Sequence, residues 1–249
     1  MTYCVGLYLR EGLVLLSDTR TNAGVDNISV FSKMHVFEAP GERVLTLLTA
    51  GNLAVSQGVM NLLNEGIEIE GEVETLYTVK SMFRAAQLVG EAVRCVYRLD
   101  GPSLQAQNVP FDVSILLGGQ IKGGSMRLFQ IYSAGNFIEA TPDTPFLQIG
   151  EHKYGKPILD RAVKYEIDIH DGVKLALISM DSTLRSNLSV GLPIDLLIYR
   201  RDSIGIELRH RITEDDEYFR TIRERWSQAL RDAHRAMPRP SWIPIRGEE

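Results

Sequence analysis

Through the first 51 residues the apolar positions fall in short runs bounded by turn residues, and beyond them the spacing alternates between strand-like and helix-like periods. Tyr3 to Leu9 and Leu13 to Leu16 flank Arg10-Glu11-Gly12, a polar turn closed by glycine, which predicts a β-hairpin at the start of the chain. TNAGVDN predicts a bend, VFSKMHVFE a further strand and APGE a turn. RVLTLLTAG is a near-continuous apolar run ending at Gly51, as expected of a strand buried on both faces.

From Asn52 the period changes. Leu53, Met60, Leu62 and Leu63 predict one helix, and Leu76 to Tyr97, beyond an acidic link, a second. FDVSILLGGQ and SMRLFQIY flank IKGG as another hairpin, and NFIEA and TPFLQIG add short strands. KYGKPILDRAV and HDGVKLALISMDSTLRSNLSV return to helical spacing, with Asp171 the predicted N-cap of the second. LPIDLLIYR and SIGIELRH form a last hairpin. A charged amphipathic helix over residues 213–237 follows, and the Pro-rich tail 238–249 cannot continue it. Strands that cluster as hairpins around pairs of helices point to antiparallel sheets with helices packed outside them, an α+β fold in four α-β-β-α layers forming one domain over residues 1–249.

Composition narrows the function classes. Apolar residues at 44%, charged residues at 24% and a net charge of −5 describe a folded chain without the basic stripe that phosphate neutralisation demands, so nucleic acid is not an expected partner. No secretory signal or apolar run of membrane-spanning length is evident, so a cytoplasmic location without membrane attachment is expected. The two cysteines, Cys4 and Cys95, lack metal-ligand or redox-motif companions and read as reduced core residues.

One residue suggests chemistry. Removal of Met1 ahead of the small Thr2 would expose a hydroxyl and a free α-amine on the same residue. That amine, with an ordinary pKa of about 7.7–8.0, is partly neutral near pH 7 and can take the hydroxyl proton. Asp18 ends the strand that returns toward the chain start, and Lys33 is the only cation in VFSKMHVF. The two make a candidate buried pair beside the amine, the competing reading being a turn aspartate and a surface lysine. Gly51, at a strand-to-helix junction, is a candidate oxyanion donor or else a turn glycine. The five histidines show no ligand spacing, there is no GxSxG or HExxH, and GGQIKGG lacks the ending of a phosphate loop.

TYCVGL, SDTRTNAG, FSKMHVF and LLTAGN, in this order, resemble the opening half of proteasome β-type subunits. IYSAGNFIEA and IGEHKYGKPILDR extend the likeness over essentially the whole chain, which most resembles the bacterial ancestral β-subunit family, Anbu. The resemblance implies an N-terminal-nucleophile hydrolase fold of proteasome-subunit type. In it Thr2 is the nucleophile, its amine the general base, Asp18 and Lys33 the supporting pair, Gly51 the oxyanion donor and Ser189 an accompanying serine. It further implies a peptide laid along Arg20, Thr21 and Asn22, with specificity pockets near Phe31 and Thr49.

The same resemblance implies no metal or organic cofactor, a homo-oligomer built as a ring or open spiral, and a peptide or amide substrate. On an ATP-dependent unfoldase partner the sequence is silent. Three features depart from the pattern: the Asp18-to-Lys33 interval is one residue short, Glu151 and His152 stand where a supporting serine is usual, and Ser186 stands where an aspartate is expected. These changes predict a weakened hydrogen-bond network around the amine. Two alternatives therefore stand beside a threonine peptidase: a self-assembling scaffold with a vestigial Thr2, and an amidase for a small or modified amide.

Overall fold

The structure is a computed structural model and describes residues 2–23 and 27–243. In chain order the elements are β1 (Tyr3–Tyr8), β2 (Gly12–Asp18), β3 (Arg20–Ala23), β4 (Asn27–Val30), β5 (Met34–Ala39), β6 (Arg43–Gly51), α1 (Leu53–Glu65), β7 (Ile67–Ile69), β8 (Glu72–Glu74), α2 (Met82–Ala106), β9 (Val113–Ile121), β10 (Arg127–Ile131), β11 (Phe137–Glu139), β12 (Phe146–Gly150), α3 (Lys156–Ala162), α4 (Ile169–Ser186), β13 (Ile194–Arg200), β14 (Ile206–Ile212) and α5 (Glu217–Ala236). Two antiparallel five-stranded sheets, β12-β1-β2-β13-β14 and β11-β10-β9-β6-β5, face each other.

Each apolar strand serves two cores. In β2, Val14 and Leu16 pack toward α3 and α4, while Leu13 and Leu15 point into the space between the sheets. In β6, Leu45 and Leu47 meet α1 and α2, while Val44 and Leu48 join the inter-sheet core. Three apolar cores separate four layers, and this is why the strand sequences read as continuous rather than alternating runs. The predicted α-β-β-α order is therefore observed, with the antiparallel hairpins pairing as expected.

Several boundaries differ from the sequence expectation. The bend at TNAGVDN is flanked by a small hairpin, β3 with β4, and residues 24–26 lie outside the described residues. The expected strand VFSKMHVFE is broken between Val30 and Met34, so Lys33 sits in the connection to β5 rather than within a strand. The acidic link carries the hairpin β7–β8, and α2 starts only at Met82, where the Ser81 hydroxyl accepts the Arg84 N–H at 3.1 Å. Asp168, not Asp171, caps α4, because it is Asp168 Oδ1 that accepts the Asp171 N–H at 2.8 Å. Likewise α5 begins at Glu217 behind its cap Asp216, and residues 244–249 of the tail lie outside the described residues. None of the described helices is long and apolar enough to cross a membrane.

Candidate active site

Thr2 immediately precedes β1 and is 7% exposed. Its carbonyl accepts the Glu151 N–H at 2.6 Å, just past the end of β12, the strand that pairs with β1. Gly150 makes this approach possible: its φ is +81°, and a Cβ there would lie 2.1 Å from the Thr2 carbonyl oxygen.

Hairpin register brings Asp18 to the same point. Cys4 pairs with Ser17, so the last residue of β2 falls beside the first of β1, and the Tyr3 N–H donates to Asp18 Oδ1 at 3.0 Å. Lys33 Nζ donates to the same oxygen at 2.7 Å and to the Arg20 carbonyl at 2.7 Å. Gly191 N–H reaches Asp18 Oδ2 at 3.3 Å. Asp18 is 0% exposed and Lys33 5%. Burial drives the Asp18 carboxyl above its ordinary value, against the opposing pull of the Lys33 ammonium and the two backbone N–H groups. The Lys33 backbone is held in turn: its carbonyl accepts the Thr49 N–H at 3.0 Å, and the neighbouring Ser32 hydroxyl donates to Asp195 Oδ2 at 3.0 Å.

A cleft of about 340 Å³ opens over this arrangement, lined by Thr2, Arg20, Thr21, Lys33, Thr49, Ala50 and Gly51 and by the start of α1. Gly51 is exposed at the end of β6 with φ +108°, and a Cβ on it would lie 2.3 Å from the Asp112 carbonyl oxygen, so only glycine fits this turn. Asn52, Leu53 and Ser56 also line the cleft and were not singled out from the sequence. The available signal was the helix cap: the Asn52 side chain accepts from Ala54 N–H, and the first turn it starts turns Leu53 and Ser56 toward the opening.

The remaining expected site residues fall as follows. Asn22 lies on β3 with Arg20 and Thr21. The Arg20 side chain donates to the Leu188 carbonyl at 3.0 Å. Phe31 is 40% exposed and does not line the cleft, because its place in the connection between β4 and β5 turns it outward. Ser189 is half-buried in the loop after α4 and does not line the cleft either. Cys4 lies below: its Sγ contacts the Thr49 carbonyl at 3.7 Å, and burial pushes the thiol far up, so it remains protonated and unreactive.

Glu151 and Ser186, two of the departures from the family pattern, differ in what they touch. Ser186 ends α4 as an exposed residue. Asn187 turns inward instead, donating from Nδ2 to Glu151 Oε2 at 3.0 Å and accepting the Ser189 N–H on Oδ1 at 2.9 Å. Glu151 Oε1 accepts the His152 and Lys153 N–H groups at 2.9 and 2.8 Å. Burial pushes the Glu151 carboxyl up, but the Lys153 N–H, the Asn187 amide and the His152 N–H together outweigh it and hold the group below its ordinary value.

The family model described as "Proteasome subunit" matches residues 2–198. An Anbu mutant from Hyphomicrobium sp. strain MC1 is 52% identical, with 97% of this chain and 100% of that one covered at a TM-score of 0.89. Anbu (ancestral beta-subunit) from Yersinia bercovieri is 50% identical over 97% and 100% of the two chains, also at 0.89. A structure described as the helical assembly of the Anbu complex from Pseudomonas aeruginosa is 50% identical over 96% and 98%, again at 0.89. Among curated proteins none matches. The fold and the cleft thus define a proteasome-type subunit, and the chain belongs to the proteasome family, in its Anbu branch.

Proposed function

We propose that the chain is a threonine hydrolase in which Thr2, exposed by removal of Met1, attacks an amide carbonyl. The observation that carries this reading is that Thr2, Gly51 and the Lys33 end of the buried Asp18–Lys33 pair line one cleft, the four residues coming from four separate segments of the chain. Thr2 Oγ1 forms the bond to the carbonyl carbon while its proton passes to the α-amine, directly or through a water. The Lys33 charge favours the neutral amine and the forming alkoxide, and the Gly51 N–H faces the oxyanion. Collapse of the tetrahedral intermediate expels the amine product with a proton and leaves an ester on Thr2, which water hydrolyses to release the acid. The edge of β3 not paired to β4 offers main-chain groups to an extended peptide beside Thr21, with Thr49 in the wall of the cleft.

We further propose that the chain works as a homo-oligomer. The Pseudomonas aeruginosa relative is described as a helical assembly, and here Leu230, Met237, Trp242 and Ile243 leave apolar surface exposed on and beyond α5. That same likeness supports the scaffold reading, in which assembly is the function and Thr2 is unused.

Intact mass separates them. Protein lacking Met1 and treated with a peptide epoxyketone, which bonds to both the hydroxyl and the amine of one N-terminal residue, is expected to gain one adduct per chain. Thr2→Ala is expected to gain none. Absence of the adduct on Met1-free wild-type protein favours the scaffold, and an adduct without cleavage of unstructured peptides favours the small-amide substrate.

A further inference from the structure

Two loops flank Thr2, and among the described residues one side-chain hydrogen bond joins them. The loop after β12 holds the Thr2 carbonyl through the Glu151 N–H. The loop after α4 runs through Asn187, Ser189 and Gly191, and Gly191 holds Asp18 Oδ2 at 3.3 Å. The link between them is Asn187 Nδ2 to Glu151 Oε2 at 3.0 Å.

The chain of contacts is continuous. Glu151 is 5% exposed, and its Oε1 fastens its own loop through two backbone N–H groups. Asn187 fastens the other through the Ser189 N–H on its side-chain oxygen and the Val190 N–H on its carbonyl at 3.1 Å. One end of this belt terminates on the carbonyl of Thr2 and the other on the partner of Lys33. Among the described residues no arginine or lysine side chain is bonded to the Glu151 carboxylate, whose hydrogen-bond donors are two backbone N–H groups and the Asn187 amide.

We propose that Glu151 and Asn187 are a positioning pair that fixes Thr2 relative to Asp18 and Lys33, and that what the site requires is one carboxylate shared between the two loops, whichever loop supplies it. This rests on the reading of Thr2 as the nucleophile. Its chemical content is a donor–acceptor match. With Glu151→Gln the single amide oxygen that keeps the His152 and Lys153 N–H groups leaves the amide nitrogen facing Asn187 Nδ2, donor against donor. With Asn187→Asp two carboxylates meet across the contact and repel. With both changes together the residue 151 amide donates to the residue 187 carboxylate, which still accepts the Ser189 N–H.

The experiment uses the full-length, assembled, Met1-free protein and follows the rate of epoxyketone adduct formation by intact mass. Circular dichroism and thermal unfolding accompany each variant. Glu151→Gln and Asn187→Asp are each expected to slow the reaction at saturating probe by about tenfold or more, the scale of loss from sub-ångström misplacement of reacting groups. The double variant Glu151→Gln/Asn187→Asp is expected to return to within about threefold of wild type, since the contact is again matched. A purely structural role would lower the unfolding temperature of each variant in step with its rate, whereas a positioning role slows the reaction in variants that unfold at the wild-type temperature. Single variants that react like wild type, or a double variant no faster than the slower single one, overturn the proposal. If Glu151→Gln does not fold, Asn187→Asp against the double variant decides by the same criterion. A wild-type protein that forms no adduct overturns the nucleophile reading, and this inference with it. A reactive wild type with the wrong variant pattern overturns only the inference.

Discussion

Replacing Lys33 by methionine removes one of the three donors that reach the Asp18 carboxylate and leaves the Tyr3 and Gly191 N–H groups to hold it. Asp18 is fully buried, so water cannot take the place of the ammonium. Breaking a buried pair by deleting one partner costs about 3–5 kcal/mol, far more than an exposed pair is worth. The Asp18 carboxyl already lies above its ordinary value because of burial, and loss of Lys33 raises it further. A carboxyl whose folded value is raised destabilises the folded state as pH climbs through the unfolded value of about 3.9, and the cost is complete above the folded value. The deficit of Lys33→Met relative to wild type is therefore expected to grow with rising pH and to be larger at pH 8 than at pH 5.5. Urea unfolding at one fixed protein concentration measures both. Adding Asp18→Asn removes the stranded charge and is expected to recover most of the stability, while epoxyketone reactivity stays lost because the Lys33 charge is still missing. A deficit under about 1 kcal/mol at pH 8, a deficit independent of pH, or a double variant whose loss is the sum of the single ones would refute the reasoning.

Gly150→Ala places a Cβ against the Thr2 carbonyl at a positive φ, so it is expected to displace Thr2 and slow adduct formation by at least about tenfold, read by intact mass against time. Asp181, nearly fully buried on α4, accepts from Arg223 of α5 at 2.7 Å and from Arg185 at 3.2 Å. Asp181→Ala is expected to raise amide hydrogen exchange over residues 217–236 while leaving β1 protected, because the guanidinium of Arg223 then has no carboxylate on α4 to hold.

The layers were legible because strands buried on both faces have few polar interruptions. Val14 and Leu16 answer to one core, Leu13 and Leu15 to another, and a run such as LVLL is what two cores require. The pairing of Asp18 with the chain start was legible for a related reason: a short hairpin fixes which residue returns to which. Lys33 was placed correctly in space and wrongly in structure. Its segment leaves the strand because Ser32 bonds sideways to Asp195 on β13, a contact 163 residues distant that no local pattern carries. Phe31 lies in the same break, and its outward facing is not readable from strand alternation, which holds only where the strand is continuous. The hairpin β7–β8 hid in an acidic link because its strands are three residues each and largely solvated, so they show no apolar period to read.

Ser186 and Asn187 locate where residue-by-residue reading of a site stops working. The family resemblance implies a supporting role at position 186, which here holds an exposed serine. What decides the role is where α4 ends. Ser186 keeps helical geometry and so points with the outer face of its last turn. Asn187, at φ −135° and ψ 106°, has already left the helix, and the extended conformation turns its side chain back toward Glu151. A shift of one residue at a helix terminus thus exchanges an outward side chain for an inward one, as a one-residue slip does along a strand. The glutamate at 151, which from sequence alone signals a damaged network, is the acceptor that the inward asparagine requires. The donor on one loop thus meets an acceptor on the other through a residue that a position-by-position comparison passes over, because the contact depends on where α4 ends and not on which residue occupies position 186.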